Sequence, residues 1–164
     1  MTRDPIREAH RQWVAHGWTD AADGMAMVTS LVRVHQLLQA RIDAVLRPHD
    51  LTFARYEVLR LLAFSSRQEL PMARVGSLLQ VHPASVTSAV TRLEAQGFVT
   101  RTRGEEDRRL VLAAITPAGR EVVEKATVGL NETVFAQPGL AAAEVDALTA
   151  ALTRLRAAAG DPVN

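Results

Sequence analysis

Apolar residues recur at three- and four-residue intervals through most of the chain, which is the spacing of helices with one buried face. Two shorter runs, 98–103 and 110–115, alternate as strands do, and a charged loop joins them as a hairpin. Proline, glycine and hydroxyl residues divide this pattern into segments that predict seven helices. The predicted ranges are 5 to near 17, from after Asp23-Gly24 to about 47, 53 to about 64, 71–79, 83 to before 97, 117 to before 138, and about 141–159.

The helix that begins at Pro83 has two different faces. His82 before Pro83 favours extended backbone, so the helix starts with proline in its first position, and Gly97 ends it. One face is apolar and carries Val86, Ala89, Val90 and Leu93. The other carries small and hydroxyl side chains with one arginine: Ala84, Ser85, Thr87, Ser88, Thr91 and Arg92. Short hydroxyls let a helix approach a nucleic-acid groove closely, so we expect this helix to read DNA.

The hairpin loop carries Arg108 and Arg109 beside an acidic run, 105–107. A guanidinium at a hairpin tip suits the negative potential of the DNA minor groove. We expect Arg109 to enter that groove, with Arg108 as a second candidate, and Asp107 to pair with an arginine and hold it in one rotamer. The acidic run also fits paired catalytic carboxylates or a metal site, although a solvated turn is the expectation between two strands.

These segments resemble the winged-helix MarR family of bacterial transcriptional regulators over roughly residues 25–159. Three short motifs carry the resemblance: Leu-Glu-x-x-Gly at Leu93, Glu94 and Gly97, Asp-x-Arg at Asp107 and Arg109, and Thr-x-x-Gly at Thr116 and Gly119. Gly76 departs from the family pattern, in which alanine is commoner. Glycine there permits a close crossing of two helices but weakens its own helix by up to about 1 kcal/mol.

The resemblance implies a mainly α fold with a small β-hairpin wing (α+β) in one domain. Its parts are an N-terminal segment with the first dimerisation helix (1–47), a winged helix-turn-helix head (52–116) and C-terminal dimerisation helices (117–159). Family members pair as homodimers and place two recognition helices in successive major grooves of a pseudo-palindromic operator, with half-sites about 10 bp apart. The expected contacts with double-stranded DNA come from Arg74, Ser85, Thr87, Ser88, Thr91, Arg92, Asp107, Arg108 and Arg109.

The resemblance also implies a small aromatic or anionic effector that binds between the dimerisation helices and the head and releases a repressor from DNA. The candidate pocket residues are Trp13, Trp18, His35, Tyr56 and Arg60. Each of them also fits a packing role, which the sequence favours. The tryptophans suit the pinning of an N-terminal helix onto the dimer body, and His35 lies on an apolar stripe.

Composition and charge narrow the classes of function that fit the chain. The 164 residues are 48% hydrophobic and carry no cysteine, so thiol-based peroxide sensing is excluded. No apolar run is long enough to span a membrane and the charged N-terminus is unlike a signal peptide, so we expect a cytoplasmic protein. The net charge is only +1, but residues 71–103 hold four arginines against one acid.

Two other classes of function are alternatives to DNA binding. The five histidines lack metal-ligand spacing, and neither a phosphate-binding glycine loop nor a nucleophile elbow occurs, so an enzyme is not expected and no cofactor is implied. A winged helix that binds protein or RNA instead of DNA stays open as an alternative, because fold alone does not fix function. The arginines of the wing tip and the hydroxyl-rich helix face favour DNA.

Overall fold

A computed structural model describes residues 4–104, 107 and 109–163, and within these residues the chain forms seven α-helices and three short strands. The helices are α1 (Pro5–Ala15), α2 (Thr19–Leu46), α3 (Phe53–Phe64), α4 (Met72–Leu79), α5 (Pro83–Ala95), α6 (Pro117–Leu130) and α7 (Ala142–Ala158). The strands are β1 (Glu69–Pro71), β2 (Val99–Arg103) and β3 (Val111–Ile115). A 3₁₀ turn, Arg47–His49, follows α2, and a π-helical turn, Asn131–Phe135, extends α6. The mainly α fold with a β-hairpin wing is thereby confirmed.

Side-chain caps define several helix starts where the sequence places them. Thr52 Oγ1 accepts a hydrogen bond from the Arg55 N–H (3.3 Å) at α3, and Thr116 Oγ1 accepts one from the Gly119 N–H (3.0 Å) at α6. Pro117 follows its cap in the first turn, where the missing N–H costs nothing. These helix starts confirm the predicted ones. They can be predicted from the sequence because capping depends on a few adjacent residues.

The third strand was not predicted. The sheet is antiparallel with the order β1-β3-β2, and Leu70 of β1 lies opposite Ala113 of β3. The sequence indicates a polar loop from Ser65 that leads to Pro71, since three residues are too few to show an alternation. β1 exists because β3 offers it a free edge, which is a tertiary property.

The start of α2 is also corrected. The long helix begins at Thr19 instead of after Asp23-Gly24, so Gly24 lies inside it. Ala22 is buried, and the carboxylate of Asp23 lies 2.8 Å from His10 Nε2 on α1. Packing of α1 on this first part of α2 offsets the weak helix propensity of one glycine.

The core lies in the winged-helix head and continues into α6. It is built from the inward faces of α3, α4, α5 and the sheet together with α6 and the end of α2, and its fully buried side chains include Leu46, Leu59, Leu62, Val75, Val90, Leu93, Val99, Val123 and Leu130. Leu78 on α4 lies outside this core and is 43% exposed. A Cβ on Gly76 would meet Val86 Cγ2 at 3.4 Å, an ordinary contact, so the crossing of α4 and α5 does not require glycine.

Apolar faces of α2 and α7 are left uncovered in the single chain. α7 has no buried residue, and its stripe Leu148, Leu152 and Leu155 is 36–46% exposed. On α2, Val28 and Val32 are more than half exposed. Within the residues described, no helix has the length and apolar character needed to cross a membrane.

Candidate nucleic-acid interface

Helix α5 presents the two faces that the sequence predicts. Val86, Val90 and Leu93 are buried in the core, whereas the opposite face is exposed. That exposed face consists of Ala84, Ser85, Thr87, Ser88, Thr91 and Arg92. The Thr87 hydroxyl donates to the Pro83 carbonyl (3.1 Å), so it offers an outside ligand only acceptor capacity. The helix thus presents short acceptors and donors with one cation near its end.

Both ends of α5 are fixed locally. His82 precedes Pro83 in extended geometry, and its Nδ1 accepts from the Ala84 N–H at 3.1 Å. At the other end Gly97 has a φ of +76°, and the Phe98 N–H donates to the Leu93 carbonyl at 2.9 Å. This is a Schellman ending, which turns the chain directly from α5 into the wing. The role of Gly97 as the residue that ends the helix is confirmed.

A groove runs between α5 and the start of α3. Its lining combines residues of α5 with residues from the start of α3 and the turn before it: Asp50, Thr52, Ala54, Arg55, Ala84, Ser85, Ser88, Ala89, Arg92, Ala95 and Gln96. Arg55 and Gln96 were not among the predicted site residues. The periodicity of α3 and α5 gives no signal for either of them, because the groove forms only when the two helices cross.

The remaining arginines expected to contact DNA flank α5. Arg74 is exposed on α4. On the wing, Arg109 is exposed and its backbone N–H donates to Asp107 Oδ1 at 2.9 Å. The Asp107 carboxylate therefore holds the turn through the Arg109 backbone, and its expected pairing with an arginine side chain stays a prediction. Arg108 lies outside the described residues, as do Glu105 and Glu106 of the acidic run.

An ion pair joins α5 to the wing. Arg101 on β2 donates from Nε (2.9 Å) and Nη2 (2.5 Å) to the same Glu94 carboxylate oxygen. These hydrogen bonds hold the pKa of Glu94 below its ordinary value. Arg101 was counted in the basic segment, yet its charge is paired, so it is less available to phosphate than Arg92. Glu94, part of the Leu-Glu-x-x-Gly motif, thereby sets the wing against the helix.

Two of the expected effector residues meet in a polar cluster between α3 and α6. Thr127 donates to the Val123 carbonyl (2.7 Å) and accepts from Tyr56 Oη (3.0 Å) and from Arg60 Nη2 (2.6 Å). Arg60 also pairs with Glu124 at 2.8 Å, which lowers the pKa of that carboxyl. The Arg60 Nε atom is buried without a hydrogen-bond partner. Tyr56 is itself core, so the cluster has a clear packing function.

The other three expected effector residues lie apart from this cluster in the observed contacts. Trp13 and Trp18 pack edge to face at the α1–α2 junction, with ring centroids 5.4 Å apart, and His16 stacks on Trp18. His35 is exposed on α2. Among the residues that the structure describes, no group of three or more His, Cys, Asp or Glu could hold a metal ion.

A helix-turn-helix whose second helix is exposed and leads into a β-hairpin defines a winged helix-turn-helix protein. The sequence profile of the MarR family matches residues 49–110. The crystal structure of Sco5413, a MarR family transcriptional regulator from Streptomyces coelicolor, is 45% identical in sequence with a TM-score of 0.77, and the match covers 87% of this chain and 99% of Sco5413. The chain belongs to the MarR family of transcriptional regulators.

Two further structures extend the comparison. Sco3205, a MarR family regulator from S. coelicolor solved in complex with DNA, is 25% identical with a TM-score of 0.74, covering 86% of this chain and 89% of Sco3205. BpsR of Bordetella bronchiseptica, whose DNA binding is regulated by 6-hydroxynicotinic acid, is 26% identical with a TM-score of 0.70, covering 77% of this chain and 90% of BpsR. The chain spans about half the length of the curated relatives it matches, transcriptional regulators that are 33–35% identical.

Proposed function

We propose that the chain is a cytoplasmic, sequence-specific DNA-binding regulator that acts as a homodimer, represses its target and is released by a small molecule. The observation that carries the proposal is the exposed face of α5, which combines short hydroxyl side chains with Arg92 beside an exposed wing. No glutamate or aspartate lies on that face, so it can approach a polyanion without repulsion.

The contacts divide by chemistry. Hydroxyl groups bind base edges or nearby phosphates, and the residues in question are Ser85, Thr87, Ser88 and Thr91. Because Thr87 donates internally, it accepts from an exocyclic amino group, which only adenine and cytosine present in the major groove. Arg92 and Arg74 bind phosphate, and Arg109 enters the minor groove. Arg108 is a second candidate on the wing.

The uncovered apolar faces support the homodimer. A 17-residue helix such as α7 is marginally stable in water without packing, yet its Leu148, Leu152 and Leu155 stripe stays 36–46% exposed among the described residues of one chain. A second copy offers the same stripe, and isologous pairing covers both at once. Two copies then present two α5 helices to half-sites about 10 bp apart.

The effector part of the proposal rests on charge. Arg60 is 13% exposed in its side chain, its Nε is a buried donor that has no partner among the described residues, and its guanidinium carbon lies 5.0 Å from the ring centroid of Phe64. An aromatic anion suits such surroundings, and 6-hydroxynicotinic acid, which regulates BpsR, has that chemistry. We expect an effector of this kind to shift the separation of the two recognition helices.

Fluorescence anisotropy on the DNA upstream of the chain's own gene tests DNA binding, titrated at several salt concentrations. We expect affinity to fall steeply with salt, and Arg92→Ala to reduce the slope of log K against log salt by about 0.9, the loss of one phosphate contact. Arg7→Ala is the matched control, since Arg7 is equally exposed but lies on α1. Salt-insensitive binding, or none, would overturn the proposal. Light scattering that finds a monomer in solution would overturn the homodimer part of the proposal.

A further inference from the structure

The last turn of α5 is tied to the turn that ends α2 through one glutamine side chain. Gln96 Nε2 donates to the Asp50 carbonyl oxygen (2.8 Å) and to Asp50 Oδ2 (3.0 Å). Its Oε1 accepts from Arg55 Nη1 at 2.9 Å, and the same Nη1 donates to the Asp50 carbonyl at 3.0 Å. Three residues separated by up to 46 positions thus close one hydrogen-bonded network, which we call the Asp50–Arg55–Gln96 latch.

Only one orientation of the Gln96 amide satisfies this network. The amide nitrogen faces two oxygens that can only accept, and the amide oxygen faces a guanidinium that can only donate. Arg55 is held in turn by Thr52, whose Oγ1 accepts from its Nε at 3.3 Å. The latch is therefore directional, and a side chain without both a donor and an acceptor cannot replace Gln96.

The latch lies where it can influence DNA recognition. Asp50 has a left-handed φ of +52° and ends the turn that follows α2, the long helix with uncovered apolar residues. Gln96 is the C-cap of α5, and the latch residues line the same groove as Ser85, Ser88 and Arg92. Hydrogen bonds that anchor the C-terminal end of a helix restrict the angles at which its N-terminal residues can point.

We propose that Gln96 is a positioning residue for DNA recognition, which sets the angle of α5 against the end of α2 through the Asp50–Arg55–Gln96 latch. The inference rests on the proposed DNA-binding function. The observation that carries it is the closed geometry of the network, in which one amide connects α5 to α3 and to the turn after α2. Movement of the α2 end is then passed to the recognition helix through this network.

The test compares Gln96→Leu with Gln12→Leu, the same change on α1. Each is titrated against the duplex that the wild-type protein selects from a randomised 30-bp library (length chosen as roughly three helical turns) and against poly(dI-dC). We expect Gln96→Leu to bind the selected duplex about 10-fold more weakly with non-specific affinity unchanged, and Gln12→Leu to match wild type.

Hydrogen exchange of the free protein supplies a readout that does not involve DNA. Amides in the last turn of α5 exchange faster in Gln96→Leu than in Gln12→Leu if the latch holds that turn. Equal exchange, or wild-type affinity for the selected duplex, overturns the inference. Equal loss on both duplexes also overturns it, because it marks Gln96 as a direct phosphate contact. Wild-type protein that selects no duplex refutes the DNA-binding proposal, and the exchange comparison then still decides whether the latch exists.

Discussion

Gly119 is the position at which a single added methyl group should do most harm. It is the last residue of the Thr-x-x-Gly motif and lies in the first turn of α6, against the start of the wing. A Cβ at this position would lie 2.2 Å from the Phe98 carbonyl oxygen and 2.9 Å from Ile115 Cγ1. The oxygen belongs to the backbone, so it cannot turn aside as the end of a side chain can. We therefore expect Gly119→Ala to destabilise the fold.

The magnitude follows from the displacement that alanine demands. Real Cβ atoms essentially never approach closer than 3.0 Å, so α6 and the Phe98 backbone must separate by roughly 0.8 Å. That movement strains the hydrogen bond from the Thr116 N–H to the Phe98 carbonyl, now 3.0 Å. Overpacking costs about 1–3 kcal/mol and a weakened hydrogen bond about 1 kcal/mol, offset by at most about 1 kcal/mol of helix propensity. The net loss is about 2 kcal/mol.

Thermal unfolding followed by circular dichroism measures this loss, with all variants at equal protomer concentration because the proposed dimerisation would make Tm concentration-dependent. For a chain of this length, about 2 kcal/mol lowers Tm by about 4–8 °C. Gly76→Ala is the control, since its nearest neighbours at 3.4 and 3.6 Å leave room for a methyl group, and its Tm should rise by about 2–4 °C. Gly129→Ala, 2.9 Å from the Val45 side chain, should lie between the two. A Gly119→Ala variant as stable as wild type would refute the reasoning.

Three other changes address the hydrogen bonds around the head. Tyr56→Phe removes the donor to Thr127 in the core and should cost about 1 kcal/mol in urea unfolding, with m unchanged. Thr116→Ala removes an N-cap and should cost about 1–2 kcal/mol in the same assay, most of it recovered in Thr116→Ser. Glu94→Gln weakens the pair with Arg101. Because the pKa of Glu94 is lowered in the folded protein, the charged pair stabilises the fold at pH values above the ordinary carboxylate pKa. That stabilisation is lost as the pH falls through the pKa of Glu94 in the folded protein. The Tm difference from wild type should therefore be present at pH 7 and vanish in acid, and a constant difference would argue against the pair.

What the sequence predicts well is local. The N-cap threonines, the proline starts and Gly97 each act on neighbouring backbone, and the exposed face of α5 follows from a period of 3.6 residues. The resemblance to the MarR family added the arrangement of the parts, and the comparison with Sco5413 over nearly its whole length confirms the family.

What the sequence missed depends on contacts between distant segments. β1 is recognisable only once β3 supplies an edge, and the first turns of α2 only once α1 packs on them. Arg55 and Gln96 line a groove between α3 and α5, and their side chains meet although the two residues are 41 positions apart in the sequence.

The C-terminal turn of α5 is where these distant contacts converge. Gln96 binds the turn that ends α2, Glu94 binds Arg101 of the wing, and the Gly97 carbonyl accepts from the Thr116 hydroxyl at the start of α6 (2.7 Å). Three contacts in different directions from four consecutive residues leave α5 little freedom to rotate alone. We therefore expect the helix and wing to move as one body with the ends of α2 and α6. Under the proposed function, regulation of DNA binding would act by moving that whole body, and the N-terminal half of α5, which carries most of the hydroxyls proposed to read DNA, would follow.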